Sequence, residues 1–167
     1  MESYFKRAVF DNFNKKVLPN KVLILLGARR VGKTELIKNY LKTVPAETYL
    51  QLNGEDINDA NLLQERSVVN YKRLLANIDL LVIDEAQTIP EIGLILKLIV
   101  DSIEGIKIIA TGSSVFDLNN TLGEPLVGRK NTMYLFPLAQ MEFSTQENYK
   151  QTTENLEERL LFGGYPE

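Results

Sequence analysis

One stretch of eight residues combines glycines, a lysine and a hydroxyl side chain at a spacing that suits phosphate chemistry. It follows the apolar run 22–26 and reads Gly27-Ala28-Arg29-Arg30-Val31-Gly32-Lys33-Thr34. A strand, then a G-x-x-x-x-G-K-T loop, then a helix is typical of a phosphate-binding loop, or P-loop. Backbone N–H groups of such a loop converge on phosphate oxygens at a helix N-terminus. We therefore expect all eight residues to line the phosphate site of a nucleotide.

Two side chains of this loop have distinct expected roles. Lys33 should reach the β- and γ-phosphates of ATP, and the Thr34 hydroxyl should coordinate Mg²⁺. The sequence leaves open whether Arg29 and Arg30 contact phosphate or face solvent.

A second acidic motif follows about 50 residues later. Four apolar residues precede two acids in Leu80-Leu81-Val82-Ile83-Asp84-Glu85. This is the Walker B pattern, in which Asp84 ends a buried strand beside the P-loop and holds Mg²⁺ through water. Glu85 is then suited to orient and polarise a water for attack on the γ-phosphorus. The pair favours hydrolysis over transfer to a small-molecule acceptor.

Two further residues are candidates for the reaction itself. Ser113 follows the predicted fourth strand and would lie between the γ-phosphate and Glu85 if that strand lies between the first and third. Ser114 and Thr111 are alternatives, as is a simple turn that caps the next helix. Arg129 precedes the fifth strand, where an arginine can reach a neighbouring subunit's γ-phosphate and so imply a homo-oligomer. A surface position or a local salt bridge is the other interpretation of Arg129.

Composition limits the remaining chemistry. The 167 residues suit one domain and include no Cys and no His, which excludes disulfides, thiolate catalysis and histidine bases. Any metal should then be hard and oxygen-bound. With 19 basic and 22 acidic residues, the net charge of −3 does not support bulk nucleic-acid binding, although a local contact stays open. Basic pairs such as Lys6-Arg7 are expected on the surface.

No segment reads as a membrane or secretory element. The N-terminus is charged and lacks an apolar core of the signal-peptide type, and the apolar stretches are too short to span a bilayer. We expect a cytoplasmic protein with no membrane partner.

Apolar strands alternate with helices, which predicts an α/β fold with a parallel sheet covered on both faces. The predicted strands are 21–26, 48–52, 79–83, 107–111 and 132–136. The predicted helices are 3–16, the segment after the P-loop, 58–65, 67–76, 90–104, 115–122 and 153–162. Ser67 is expected to cap the helix that follows it.

With these motifs in place, the chain resembles a family of prokaryotic AAA+-superfamily ATPases, an ASCE-class P-loop group. The resemblance spans almost the whole chain. Its motifs are G-A-R-R-V-G-K-T (27–34), L-L-V-I-D-E-A-Q (80–87), I-A-T-G-S-S (109–114), V-G-R (127–129), F-P-L-A-Q-M-E-F (136–143) and G-G-Y-P-E (163–167).

This resemblance implies a three-layer P-loop NTPase sandwich with strand order 5-1-4-3-2. It implies that residues 1–167 form an ATPase domain with ATP and Mg²⁺ as cofactors, and that Ser113 occupies the sensor-1 position. It also implies that a C-terminal domain of unknown function follows Glu167, for which a nuclease-like or DNA-binding character is often suspected. The ending Gly163-Gly164-Tyr165-Pro166 reads as a connection to such a domain.

Three functions are compatible with these features. The leading hypothesis is an Mg²⁺-dependent ATPase that drives or switches an attached domain or partner. The alternatives are a nucleotide-sensing module without turnover and a P-loop kinase of small molecules. A GTPase is disfavoured because no N-K-x-D guanine motif follows any predicted strand.

Overall fold

Five strands form one parallel sheet in the computed structural model, which describes residues 5–113, 125–144 and 146–166. The strands are β1 Lys21–Leu26, β2 Tyr49–Asn53, β3 Leu80–Asp84, β4 Lys107–Gly112 and β5 Lys130–Tyr134. Their order across the sheet is β2-β3-β4-β1-β5. Read from the other edge this is 5-1-4-3-2, so the order implied by the resemblance is confirmed.

Helices cover both faces of this sheet. They are α1 Phe10–Lys16, α2 Lys33–Leu41, α3 Ile57–Gln64, α4 Val68–Leu74, α5 Ile92–Ser102, α6 Gln140–Phe143, α7 Tyr149–Glu154 and α8 Leu156–Phe162. Short 3₁₀ turns occur at Ala46–Thr48 and Ala86–Thr88. In the described part of the chain, none of the helices has the length and apolar character needed to cross a membrane.

Alternating side chains of β1 fill two separate hydrophobic clusters. Leu23 and Leu25 pack into one cluster with Phe13 of α1 and Leu36 of α2. Their neighbours along the strand point the other way and pack with α3, α4 and α5; these are Val22, Ile24 and Leu26. Because a strand buried on both faces is apolar throughout, β1 shows the unbroken apolar run that predicted it. The result is a three-layer sandwich.

The predicted strands are all present with small shifts at their ends. β1 has the predicted bounds, whereas β5 begins two residues earlier than predicted. Val22 N donates to Arg129 O at 2.8 Å, so pairing with β1 already starts at the residue before β5. Ser67 caps α4 as predicted, since its side chain accepts from Asn70 N at 3.4 Å. The helix predicted over 90–104 is shorter and spans Ile92–Ser102.

The predicted N-terminal helix over 3–16 is wrong in its first half, because α1 begins at Phe10. Residues 5–7 have no regular secondary structure and residues 8–9 form a turn. Tertiary hydrogen bonds hold this segment instead: Ala8 N donates to Glu142 Oε1 at 2.7 Å. The beginning of the predicted helix at residues 3–4 lies outside the described residues, as does the helix predicted over 115–122.

The tail predicted to be helical over 153–162 is helical except at Asn155, where two short helices meet. The Asn148 side chain caps α7 by accepting from Gln151 N at 3.0 Å. Asn155 Nδ2 donates to Glu147 Oε1 at 3.2 Å where α7 ends and α8 begins. A side chain that bonds locally in this way favours a helix boundary over a continuous helix.

Candidate nucleotide site

The P-loop connects the end of β1 to the start of α2 with a backbone that requires glycine at both ends. Gly32 is the N-cap of α2 and has φ 91°, in the left-handed region that favours glycine. A Cβ on Gly27 would lie 2.5 Å from Leu135 O, so a side chain there would collide with the neighbouring backbone. Arg30 also has φ 65°, which costs a non-glycine residue about 1–2 kcal/mol. The loop is thus a tightly constrained turn.

Lys33 lies at the first turn of α2 with its ammonium turned back onto the loop. Nζ donates to Gly27 O at 2.9 Å and to Ala28 O at 3.1 Å, and the side chain is 6% exposed. Burial lowers the pKa of Lys33, while attraction from Glu85 and Asp84 opposes that shift. The ammonium and the two carboxylates therefore share one electrostatic environment.

Thr34 and Asp84 meet although 50 residues separate them in the sequence. Thr34 Oγ1 donates to Asp84 Oδ2 at 3.1 Å. Both provide hard oxygen atoms, the ligand type that Mg²⁺ prefers, and Mg²⁺ usually takes few ligands from protein and the rest from water and phosphate. The donor set at this point therefore fits a magnesium ion bound together with a nucleotide.

Thr111 joins the two acids at the end of β3. Its hydroxyl donates to Asp84 Oδ1 and accepts from Glu85 N at 3.0 Å. Glu85 has φ 48°, and its Oε2 accepts from Gln87 Nε2. Strained non-glycine conformations of this kind cluster at functional sites.

Ser113, the first choice from the sequence, lies one residue beyond the end of β4. Its side chain is 6% exposed. The hydroxyl that meets both Asp84 and Glu85 is that of Thr111, one of the alternatives. Ser114, the other alternative, lies outside the described residues.

Arg129 lies away from these residues. It immediately precedes β5 and so lies at the amino ends of the strands, whereas the P-loop lies at their carboxyl ends. Its Nε lies 2.6 Å from Asp101 Oδ1 of α5. A contact between Arg129 and phosphate would therefore have to come from a second copy of the chain.

A buried ion pair that contacts the P-loop was not predicted from the sequence. Arg7 was expected on the surface, yet its side chain is 6% exposed and its Nε lies 3.1 Å from Oε1 of the equally buried Glu142. Arg7 Nη1 also donates to Val31 O of the P-loop at 2.6 Å. The one sequence feature that marks Glu142 is its place in the motif F-P-L-A-Q-M-E-F, which by itself indicates no role. Arg7 carries no comparable sequence signal.

An open cavity of about 880 Å³ lies in front of the P-loop, within the size range of small-molecule sites. Its lining includes five basic side chains and three acidic ones, which gives an excess of positive charge. The basic residues are Arg7, Arg29, Arg30, Lys33 and Lys42, and the acidic residues are Glu35, Glu55 and Glu85. This balance suits a polyanionic ligand such as a triphosphate.

Comparisons with known proteins agree with this geometry. A family model described as an AAA domain matches residues 19–144. An uncharacterized protein of Methanocaldococcus jannaschii, MJ1544, is 26% identical over 165 residues, which cover 91% of this chain and 37% of that protein. The chain thus spans little more than a third of the length of this relative. The family match suggests nucleotide binding and an ATPase-like function.

Proposed function

Because the chain belongs to the AAA domain family, we propose that it is an Mg²⁺-dependent ATPase module. The observation that carries the proposal is the convergence of Lys33, Thr34 and Asp84 at the carboxyl ends of β1 and β3. Open parallel sheets bind their ligands at this edge. In this proposal the eight P-loop residues 27–34 surround the phosphates of ATP, and Lys33 leaves the carbonyls of Gly27 and Ala28 to bind the β- and γ-phosphates.

The metal and the water have separate supports in this proposal. Thr34 and Asp84 hold Mg²⁺, which when bound neutralises charge on the phosphates. Thr111 fixes the Asp84 carboxylate through its hydrogen bond. Glu85 orients the attacking water, and Ser113 contacts the γ-phosphate from the end of β4. Arg129 of a second copy adds positive charge in an assembled form.

We also propose that ATP hydrolysis is coupled to an attached domain or a partner. The matching region of MJ1544 is joined to a longer chain, since only 37% of that protein is covered. This supports a module whose ATP cycle drives or switches an attached domain or a partner.

The experiment follows the products of ATP with the wild-type chain and with Glu85→Gln. We expect free phosphate and ADP from the wild type, and a loss of about 100-fold or more in phosphate release from Glu85→Gln with ATP affinity retained. A matched control is Glu91→Gln. Glu91 resembles Glu85 in having a positive φ, of 53°, but its side chain pairs with Arg66 at 3.2 Å and not with residues of the P-loop or the Walker B motif.

Two outcomes would overturn the ATPase assignment. A phosphorylated acceptor without free phosphate would indicate a kinase. Tight ATP binding without any phosphate release, over the whole range of protein concentrations, would indicate a nucleotide-sensing module. Wild-type turnover in Glu85→Gln would remove Glu85 from the mechanism.

A further inference from the structure

The Arg7 guanidinium uses three nitrogen atoms to join three parts of the chain. Nε donates to Glu142 Oε1 at 3.1 Å, Nη1 to Val31 O at 2.6 Å and Nη2 to Phe136 O at 2.6 Å. These acceptors belong to α6, to the P-loop and to the segment after β5. A planar guanidinium with donors in a fixed fork can satisfy all three, whereas a lysine has a single nitrogen.

Glu142 is itself held in place on both carboxylate oxygens. Oε1 accepts from Ala8 N at 2.7 Å, and Oε2 accepts from Ala139 N at 2.8 Å. Burial raises the pKa of Glu142, but these backbone N–H groups and Arg7 together hold its pKa below the ordinary value of 4.5. The carboxylate is therefore a charged, rigid support for Arg7.

The bond from Arg7 to Val31 O has a geometric consequence for the P-loop. In a planar trans peptide the C=O and the following N–H point in opposite directions. Arg7 holds the Val31 carbonyl, so the Gly32 N–H is directed away from the bonded guanidinium nitrogen. Gly32 has φ 91° and no side chain to restrain it, so this peptide would otherwise rotate readily. The backbone N–H groups of a P-loop are its contacts to phosphate.

We propose that Arg7 is a positioning residue of the nucleotide site, which fixes the Val31–Gly32 peptide for phosphate binding and is itself held by Glu142. The inference rests on the proposed binding of ATP. Arg7 lies outside the region that the family model matches, which begins at residue 19.

The test compares Arg7→Lys with Arg159→Lys. Arg159 is a matched control because it also pairs with a glutamate, Glu147. Its Nη1 donates to a further acceptor, Gln140 Oε1, at 3.3 Å. Both variants keep the charge but lose the fork. Calorimetric titration with ATP and with ADP is made in excess Mg²⁺ at a temperature where circular dichroism shows each variant folded.

We expect Arg7→Lys to weaken ATP and ADP by a similar factor of about tenfold, because the loop amides serve phosphates common to both nucleotides. Arg159→Lys should stay within about twofold of the wild type, since its contacts lie outside the P-loop. Equal affinities in the two variants would overturn the inference.

Hydrogen exchange of the nucleotide-free protein separates this inference from the proposed function. Peptides that cover residues 27–34 should exchange several-fold faster in Arg7→Lys than in the wild type or in Arg159→Lys. This measurement needs no ligand. If the wild type binds no ATP, the proposed function is refuted, but the exchange rates still decide whether Arg7 orders the P-loop. Unchanged exchange in Arg7→Lys would overturn the inference.

A second variant covers the case in which Arg7→Lys does not fold. Glu142→Gln keeps the side-chain shape, but its NH₂ group cannot accept from Ala139 N in place of Oε2. We expect faster exchange of residues 27–34 in this variant too, because Arg7 loses part of its support. Exchange equal to that of the wild type would contradict the proposed chain of contacts.

Discussion

At the scale of single residues, the Asp84 carboxylate is the centre of the site. One of its oxygens accepts from Thr34 at the start of α2 and the other from Thr111 at the end of β4. Two hydroxyl groups from different elements therefore fix the carboxylate between them. A ligand group held in this way needs little rearrangement when a metal binds.

Thr111→Val should separate the role of Thr111, on β4, from that of Ser113, which follows β4. The change removes a donor to Asp84 and an acceptor for Glu85 N, which we expect to destabilise the fold by about 1–3 kcal/mol. It should also raise the Mg²⁺ concentration needed for half-maximal ATP binding. Calorimetry of ATP binding in a magnesium series measures this effect.

Ser113→Ala is the companion variant for that experiment. It leaves both bonds of Thr111 intact, so the Mg²⁺ requirement should stay at the wild-type value while phosphate release falls. An unchanged Mg²⁺ requirement in Thr111→Val would show that Asp84 needs no support from this hydroxyl.

At the scale of elements, Glu142 ties α6 to the N-terminal segment, and its charge makes that tie depend on pH. The folded-state pKa of Glu142 lies below its ordinary value. Its stabilisation is therefore fully present above the ordinary pKa of about 4.5 and is lost as the pH falls through the folded-state pKa. Burial lowers the pKa of Lys33 from 10.5, so this lysine makes stability depend on pH only between its folded-state pKa and 10.5.

We expect wild-type stability to fall more steeply than that of Glu142→Gln between about pH 5 and pH 3. Urea unfolding at a series of pH values measures both slopes, and the difference between them isolates Glu142 from the other carboxylates. Parallel slopes would mean that the ion pair with Arg7 contributes nothing to the pH dependence.

The same elements show how far the sequence predicts the structure. Apolar runs predicted β1, β3 and β4, because strands buried on both faces have that composition, and shorter apolar stretches predicted the partly buried edge strands β2 and β5. The meeting of Thr34 and Asp84 was predictable too, since the carboxyl ends of parallel strands share one edge. The non-helical course of residues 5–9 was not predictable, because bonds to Glu142 and Val31 override the helical pattern of that segment. The role of Thr111 required the register of β3 and β4, in which Ile83 pairs with Ala110.

At the scale of the whole molecule, different helices pack on the two faces of the sheet, and different residues lie at the two ends of the strands. The carboxyl ends hold the P-loop and the acids. The amino ends hold Arg129, paired with Asp101 at a site where both side chains are 38% exposed. Such an exposed pair contributes about 0–1 kcal/mol, so the ion pair itself gives Arg129 little structural importance.

Arg129→Ala should lower phosphate release only at protein concentrations where copies of the chain associate. Asp101→Asn is the matched control, because it breaks the same ion pair and leaves the arginine in place. Phosphate release is measured over a dilution series for both variants. Equal loss in Arg129→Ala at every dilution, or equal loss in Asp101→Asn, would contradict a role of Arg129 in a second copy's site.

Calorimetric titration of the wild-type chain and of Lys33→Ala with ATP in the presence of Mg²⁺ tests most directly whether the P-loop binds a nucleotide. We expect saturable binding by the wild type and a loss of about 100-fold in affinity for Lys33→Ala, because the substitution removes the buried ammonium proposed to bind phosphate. No binding heat from the wild type, or the same affinity in both proteins, would contradict it.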